Sequence, residues 1–200
     1  MKTIGQGPGS EVKVDDLNAE GPDSLLRQRA RSLFLLRGFH GVSLRKLGDH
    51  MGVHAGSLYY YIDSKQSLLF EIIEEYEESL SCVLLNTAAG SPKSRLLDFI
   101  HVYVSHLTQN VESFQLASIE YRNLTESQQL EISNIRLTWL RELESILSNG
   151  LELGEFSCGN ISISGAGVVS IMNCLGTKGL KPSIAIAMCQ NFVINMIGAN

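Results

Sequence analysis

The sequence predicts an all-α fold, and three observations predict it. Apolar residues recur at three- and four-residue intervals through most of the chain. The four prolines, Pro8, Pro22, Pro92 and Pro182, leave residues 23–91 and 93–181 free of the strongest helix breaker. Strand-like alternation and internal repeats are both missing from the pattern. With 200 residues, 44% apolar and 18% charged, the composition suits a soluble globular chain of one domain or two small ones.

The elements follow in order. Residues 1–22 hold four glycines and Pro8 with little apolar pattern, which predicts a mobile tail. Leu26, Ala30, Leu33 and Phe34 form a first helical stripe that stops at Gly38. Ser43 offers an N-cap to a short helix with Leu44, Leu47 and Met51 on one face, ended by Gly52. A third short element is expected over residues 55–61. Asp63 or Ser64 caps a fourth helix, with Leu69, Ile72, Ile73, Tyr76, Leu80, Val83 and Leu84 inward. Glu71, Glu74, Glu75, Glu77 and Glu78 are assigned to its outer face, and its end is placed near 88–90.

Ser91-Pro92 reads as an N-cap with proline in the first turn, opening a helix to about Asn110. A further helix spans about 111–123. Thr125 and Gln128 form a capping box, and Ile132, Ile135, Trp139, Leu143, Ile146 and Leu147 carry the longest helix to Gly154. Two apolar segments rich in small residues close the chain, near 164–175 and 183–197.

Charge is unevenly placed. Residues 24–65 carry seven basic residues and two acids, so this segment is +5 while the whole chain is -5. The longest uninterrupted apolar run, Ile184 to Cys189, is six residues; a bilayer requires about 20. No charged-then-apolar export segment opens the chain. These features predict no membrane association and a cytoplasmic location. Cys82, Cys158, Cys174 and Cys189 show no metal-binding or disulfide spacing and are expected as free, buried thiols. His101 and His106 are five apart, so no metal pair is expected. A nucleophile elbow, a phosphate loop and an HExxH motif are all missing, so no catalytic residue and no cofactor is assigned.

Three short helices in the basic part of an acidic chain outline a helix-turn-helix. Ala55, Gly56 and Ser57 would permit close approach to a major groove. Leu58 and Ile62 would pack inward, and Tyr59 and Tyr61 would point outward. Tyr60 is read as partly buried packing, and Arg27, Arg29 and Arg31 as a solvated face.

The residues Gly38-Phe39-x-x-Val42-Ser43-Leu44-Arg45-Lys46-Leu47, Met51-Gly52-Val53 and Gly56-Ser57-Leu58-Tyr59-Tyr60-Tyr61-Ile62-x-Ser64-Lys65-x-x-Leu68-Leu69 resemble the DNA-binding domain of the TetR family of bacterial transcriptional regulators. Ile62 stands where that family usually has an aromatic, and His54 where it usually has a small hydroxyl residue. The resemblance implies that Ser43 and Tyr61 touch phosphate and that Arg45 reaches a base edge. It further implies that Ala55, Gly56, Ser57 and Tyr59 line the groove, and that Lys65 clamps phosphate.

Weaker resemblance beyond Leu69 rests on Glu120-x-Arg122-x-Leu124-Thr125 and Gly150-x-x-x-Gly154-Glu155-Phe156. It is similar to members that respond to acyl-coenzyme A thioesters or other lipid-like ligands. The implied organisation is a DNA-binding domain over 23–69 and an effector-binding and dimerisation domain over 70–200. Tyr103, His106, Tyr121, Trp139 and Met172 are the candidate lining of a cavity for a small apolar effector. The partners implied are double-stranded, pseudo-palindromic operator DNA and a second copy joined through the last two helices. The activity implied is transcriptional repression without catalysis.

Overall fold

The computed structural model describes residues 21–86 and 90–199; the expected tail lies outside them except for its last two residues. The elements are α1 (Pro22–Arg37), α2 (Leu44–Met51), α3 (Ala55–Leu58), α4 (Lys65–Leu85), α5 (Pro92–Gln109), α6 (Val111–Glu120), a 3-10 turn (Tyr121–Asn123), α7 (Glu126–Glu152), α8 (Ile161–Gly176) and α9 (Pro182–Met196). No strand occurs among the described residues.

Local chemistry sets most of these boundaries. The Ser43 hydroxyl accepts from the Lys46 N–H at 3.2 Å and starts α2, and Gly52 ends it in the left-handed region at φ 71°. Of the two candidate caps for α4, Ser64 is the one used: it exchanges hydrogen bonds with Ser67 in a capping box. Thr125 and Gln128 form the expected box at α7. Helix α8 begins three residues before the predicted segment because the Asn160 side chain caps it. Helix α3 is shorter than predicted, since Tyr59 to Tyr61 form a turn rather than helix.

Packing explains how the pieces are held. Helix α1 packs on α2, α4 and α6, while α4 packs on α7 and α6. Helix α5 lies against α7, α8 and α9. One apolar cluster runs from Leu26, Phe34, Leu47 and Leu58 in the first helices through Ile73, Ile100 and Trp139 to Val193, so no polar seam divides head from body. Burying each such Leu, Ile or Phe stabilises the fold by about 1.5–3 kcal/mol relative to exposure. At the end of α7, a Cβ on Gly150 would lie 2.0 Å from the Phe156 ring; Phe156 folds back over this glycine and its N–H donates to the Gly150 carbonyl at 3.0 Å.

Five expectations are corrected. Val83 is 39% exposed rather than inward, and Arg31 is half-buried with its guanidinium on the Ser113 hydroxyl rather than on a solvated face. Glu77 is buried at 3% exposure rather than outward, because it occupies the inner stripe of α4 between Ile73 and Leu80 and has a cationic partner there, Arg136. Tyr60 is 89% exposed instead of packed, because α3 stops before it. Cys158 and Cys189 are buried as expected, but Cys82 and Cys174 are exposed on the outer sides of α4 and α8. Burial pushes the Cys189 thiol up to about 11.

Candidate DNA-binding head and effector cavity

Helices α2 and α3 meet across a tight turn. Gly48 makes the approach possible, since a Cβ there would sit 2.7 Å from the Val53 carbonyl oxygen. Leu47, Leu58 and Ile62 fill the space beneath α3, so an aliphatic residue serves at position 62. His54 provides no side-chain cap to α3.

The outer surface carries the predicted contacts. Ser43, Arg45, Gly56, Tyr59 and Tyr61 are exposed, and Ala55 and Ser57 are half-buried. Arg45 makes no ion pair among the described residues, which leaves its planar guanidinium available to an acceptor. Lys65 is placed differently. Its Nζ donates to the carbonyls of Phe39 and Val42, both at 2.8 Å, and lies 4.1 Å from the centre of the Phe39 ring. Burial lowers its pKa. The lysine therefore fastens the start of α4 to the corner between α1 and α2, a role that spacing alone did not suggest.

The same corner is tied to the body from the other side. The buried Glu120 carboxylate accepts the Phe39 N–H at 3.1 Å and the Asn123 side-chain amide. His40 Nε2 meets Asn123 Oδ1 at 3.0 Å, and Gln66 donates to the Asn123 carbonyl at 2.9 Å. Head and body are thus connected through α4 and the end of α6.

Within the body, a cavity of about 230 Å³ lies among α4, α5, α6, α7 and α8. Tyr103 and Trp139 line it together, packed edge to face at 5.7 Å. Phe114, Val169 and Leu80 add apolar wall, and Tyr76, Glu77, Arg136 and Asn173 add polar groups. Arg136 donates from Nε and Nη2 to the same Glu77 oxygen, at 2.9 and 2.5 Å. Tyr103 donates to Asn173 Oδ1 at 2.7 Å. The Tyr76 hydroxyl and Trp139 Nε1 are buried without a partner, in a place where buried polar groups are normally paired. Burial raises the pKa of both tyrosines, so they stand as neutral donors.

The other three residues expected in this cavity lie elsewhere. His106 faces the opposite side of Tyr76, with ring centres 5.4 Å apart. Tyr121 bonds Ser133 at 2.8 Å and the Gln129 carbonyl at 3.0 Å, with Arg136 4.9 Å over its ring. Met172 is fully buried in the core beside the lining residue Asn173. Tyr76, Glu77, Phe114, Arg136 and Asn173 were missed. Glu77 was findable, since it falls in register with Ile73 and Leu80, but its partner Arg136 is 59 residues away and leaves no local signal.

A basic helix-turn-helix packed against a helical body that contains a cavity is the architecture of a DNA-binding transcriptional regulator. Residues 26–72 match the family model for bacterial regulatory proteins of the tetR family, and residues 89–177 match a tetracyclin repressor-like C-terminal domain. The chain belongs to the tetR family of transcriptional regulators. It is 27% identical over 152 residues, 72% of each chain, to the HTH-type transcriptional repressor KstR2 of Rhodococcus jostii strain RHA1. Among solved structures, a tetR-family regulatory protein from Rhodococcus RHA1 superposes with a TM-score of 0.84 at 20% identity, covering 91% of this chain and 100% of that one. AibR in complex with isovaleryl coenzyme A and operator DNA superposes with a TM-score of 0.75 at 17% identity, covering 89% of this chain and 99% of AibR. Among the described residues no helix is long and apolar enough to cross a membrane.

Proposed function

We propose that this chain is a cytoplasmic, ligand-responsive repressor without catalytic activity. It binds pseudo-palindromic operator DNA as a homodimer and is released by a small effector held in the cavity around Tyr103 and Trp139. The observation that carries this reading is the pair of buried, unpartnered donors, Tyr76 Oη and Trp139 Nε1, in a cavity of mixed aromatic, aliphatic and polar lining beside α4. An effector with an apolar body and one acceptor group would satisfy both. A short acyl thioester has that chemistry, and AibR, a structural neighbour, binds isovaleryl coenzyme A.

Ser43, Arg45, Ala55, Gly56, Ser57, Tyr59, Tyr61 and Lys65 form the DNA-contacting set in this reading. Lys65 offers phosphate its one N–H not already given to a carbonyl. Dimerisation uses α8 and α9. Ile184, Met188, Phe192 and Met196 recur every fourth residue on α9 and are 37–56% exposed, with Ile163 and Ala166 exposed on α8. A two-fold pairing of this stripe would bury it and hold two recognition helices about 34–36 Å apart or a multiple of that distance. Residues Met172, Ile186, Val193 and Ile197 are already buried within the protomer and contribute support rather than contact.

Selection of bound duplexes from random DNA tests the reading. Enrichment of a two-fold symmetric sequence, with affinity falling steeply as salt rises, is expected. Failure to enrich any sequence would overturn it.

A further inference from the structure

A second cavity, of about 440 Å³, lies between α1, α4 and the junction of α5 and α6, lined in part by Arg31, Tyr76, His106, Asn110 and Ser113. We propose that it is a separate binding site for a small hydroxycarboxylate at the contact between head and body.

The argument starts from unmet hydrogen-bonding capacity. Arg31 Nε, Tyr76 Oη and His106 Nδ1 are buried without partners, and all three residues line this cavity. Tyr76 is 4% exposed. One turn earlier on α1, Arg27 is held by Asp23 at 2.5 Å, Glu71 at 3.3 Å and Glu75 at 3.9 Å. Arg31 has no carboxylate partner among the described residues and bonds only the Ser113 hydroxyl. Its guanidinium is always charged, so an anion is the missing complement. Glu75 also lines the cavity, but its charge is turned to Arg27.

Proton accounting defines the rest of the ligand. The single Ser79 hydroxyl proton goes to the Tyr76 carbonyl at 2.8 Å. His106 Nε2 lies 2.9 Å from the same hydroxyl oxygen, and with the Ser79 proton on the Tyr76 carbonyl the fitting tautomer donates from Nε2. Burial lowers the His106 pKa, so the ring is neutral near pH 7 and Nδ1 is a bare acceptor. Two donors and one acceptor thus face the cavity: Arg31 and Tyr76 suit a carboxylate, and His106 Nδ1 suits a neighbouring hydroxyl. Because α1 belongs to the head and α4 and α6 to the body, a ligand here would bridge them. Tyr76 lines both cavities, so its single hydroxyl proton serves a ligand in one of them at a time.

Calorimetric titration of the full chain with lactate, propionate and inorganic phosphate at neutral pH tests this. Lactate is expected to bind about tenfold more tightly than propionate, the worth of one buried hydrogen bond. Arg31→Met is expected to weaken lactate at least about tenfold while melting as a folded helical protein. Trp139→Phe, which alters only the other cavity, should leave lactate binding unchanged. No heat with lactate at millimolar concentration, meaning that the cavity holds water alone, would overturn the proposal. So would undiminished lactate binding by Arg31→Met, or phosphate or propionate binding as tightly as lactate.

Discussion

The buried carboxylate of Glu120 accepts the backbone N–H of Phe39 at 3.1 Å, joining the end of α6 to the corner of the DNA-binding head across 81 residues of sequence. Lys65 holds the carbonyls of Phe39 and Val42 from the other side. The corner is therefore held by α4 and α6, and a displacement of either is expected to reach α2.

Glu120→Ala leaves the Phe39 N–H buried and unpaired, which costs about 1–3 kcal/mol. Glu120→Gln keeps an acceptor and is expected to lose less. Urea unfolding of the three proteins checks the order, and operator affinity should fall in the same sequence.

Lys65 and Arg45 are expected to separate structural from DNA-binding roles. Lys65→Ala removes two bonds to carbonyls, so both the unfolding midpoint and the salt slope of DNA binding should fall, the slope by about one unit. Arg45→Ala should leave stability unchanged and lose about 1–3 kcal/mol at one operator position. Competition binding with cognate and scrambled duplexes distinguishes a base contact from a phosphate contact, since equal losses on both indicate phosphate.

Arg136→Met strands the Glu77 carboxylate at 3% exposure. Loss of a partner from a fully buried pair costs about 3–5 kcal/mol, and the partial exposure of Arg136 reduces this to roughly 2–3 kcal/mol. Adding Glu77→Gln should restore much of the loss, as thermal unfolding of the double variant would show.

Burial lowers the pKa of His106 below its ordinary 6.5. The unfolded chain therefore binds the proton first on acidification, and stability falls as pH drops from 6.5 toward the folded-state value. Below that value the loss levels off. Subtracting the pH–stability curve of His106→Asn from that of the native chain should reveal this step; parallel curves would contradict it.

Phe192→Glu places a charge in the exposed stripe of α9 without touching the protomer core. Sedimentation should show a monomer whose helical content is unchanged and whose operator affinity is reduced. A dimer that survives this change would move the interface elsewhere.

What the sequence revealed and what it hid divide by distance along the chain. Ser43, Ser64, Ser91 and Thr125 act on backbone three residues away, so helix starts were legible from local patterns. The outward positions of Tyr59 and Tyr61 were legible for the same reason. Tyr60 was not, because its exposure depends on where α3 ends. The cavity was only half visible: Tyr103 and Trp139 stand on apolar stripes, but the pairing of Glu77 with Arg136 and the bond from Tyr103 to Asn173 join separate helices. Likewise, Lys65 reads as a phosphate clamp until tertiary structure brings the Phe39 and Val42 carbonyls to it.

Trp139 lines the proposed effector cavity and is the sole tryptophan, so its fluorescence reports occupancy directly. Titration with isovaleryl coenzyme A, alone and with saturating operator DNA, tests the coupling between cavity and head. Linkage requires that the operator weaken effector binding by the factor through which the effector weakens operator binding, typically about 5–150-fold. That equality is the predicted result; an effector affinity that is the same with and without operator DNA would contradict the account.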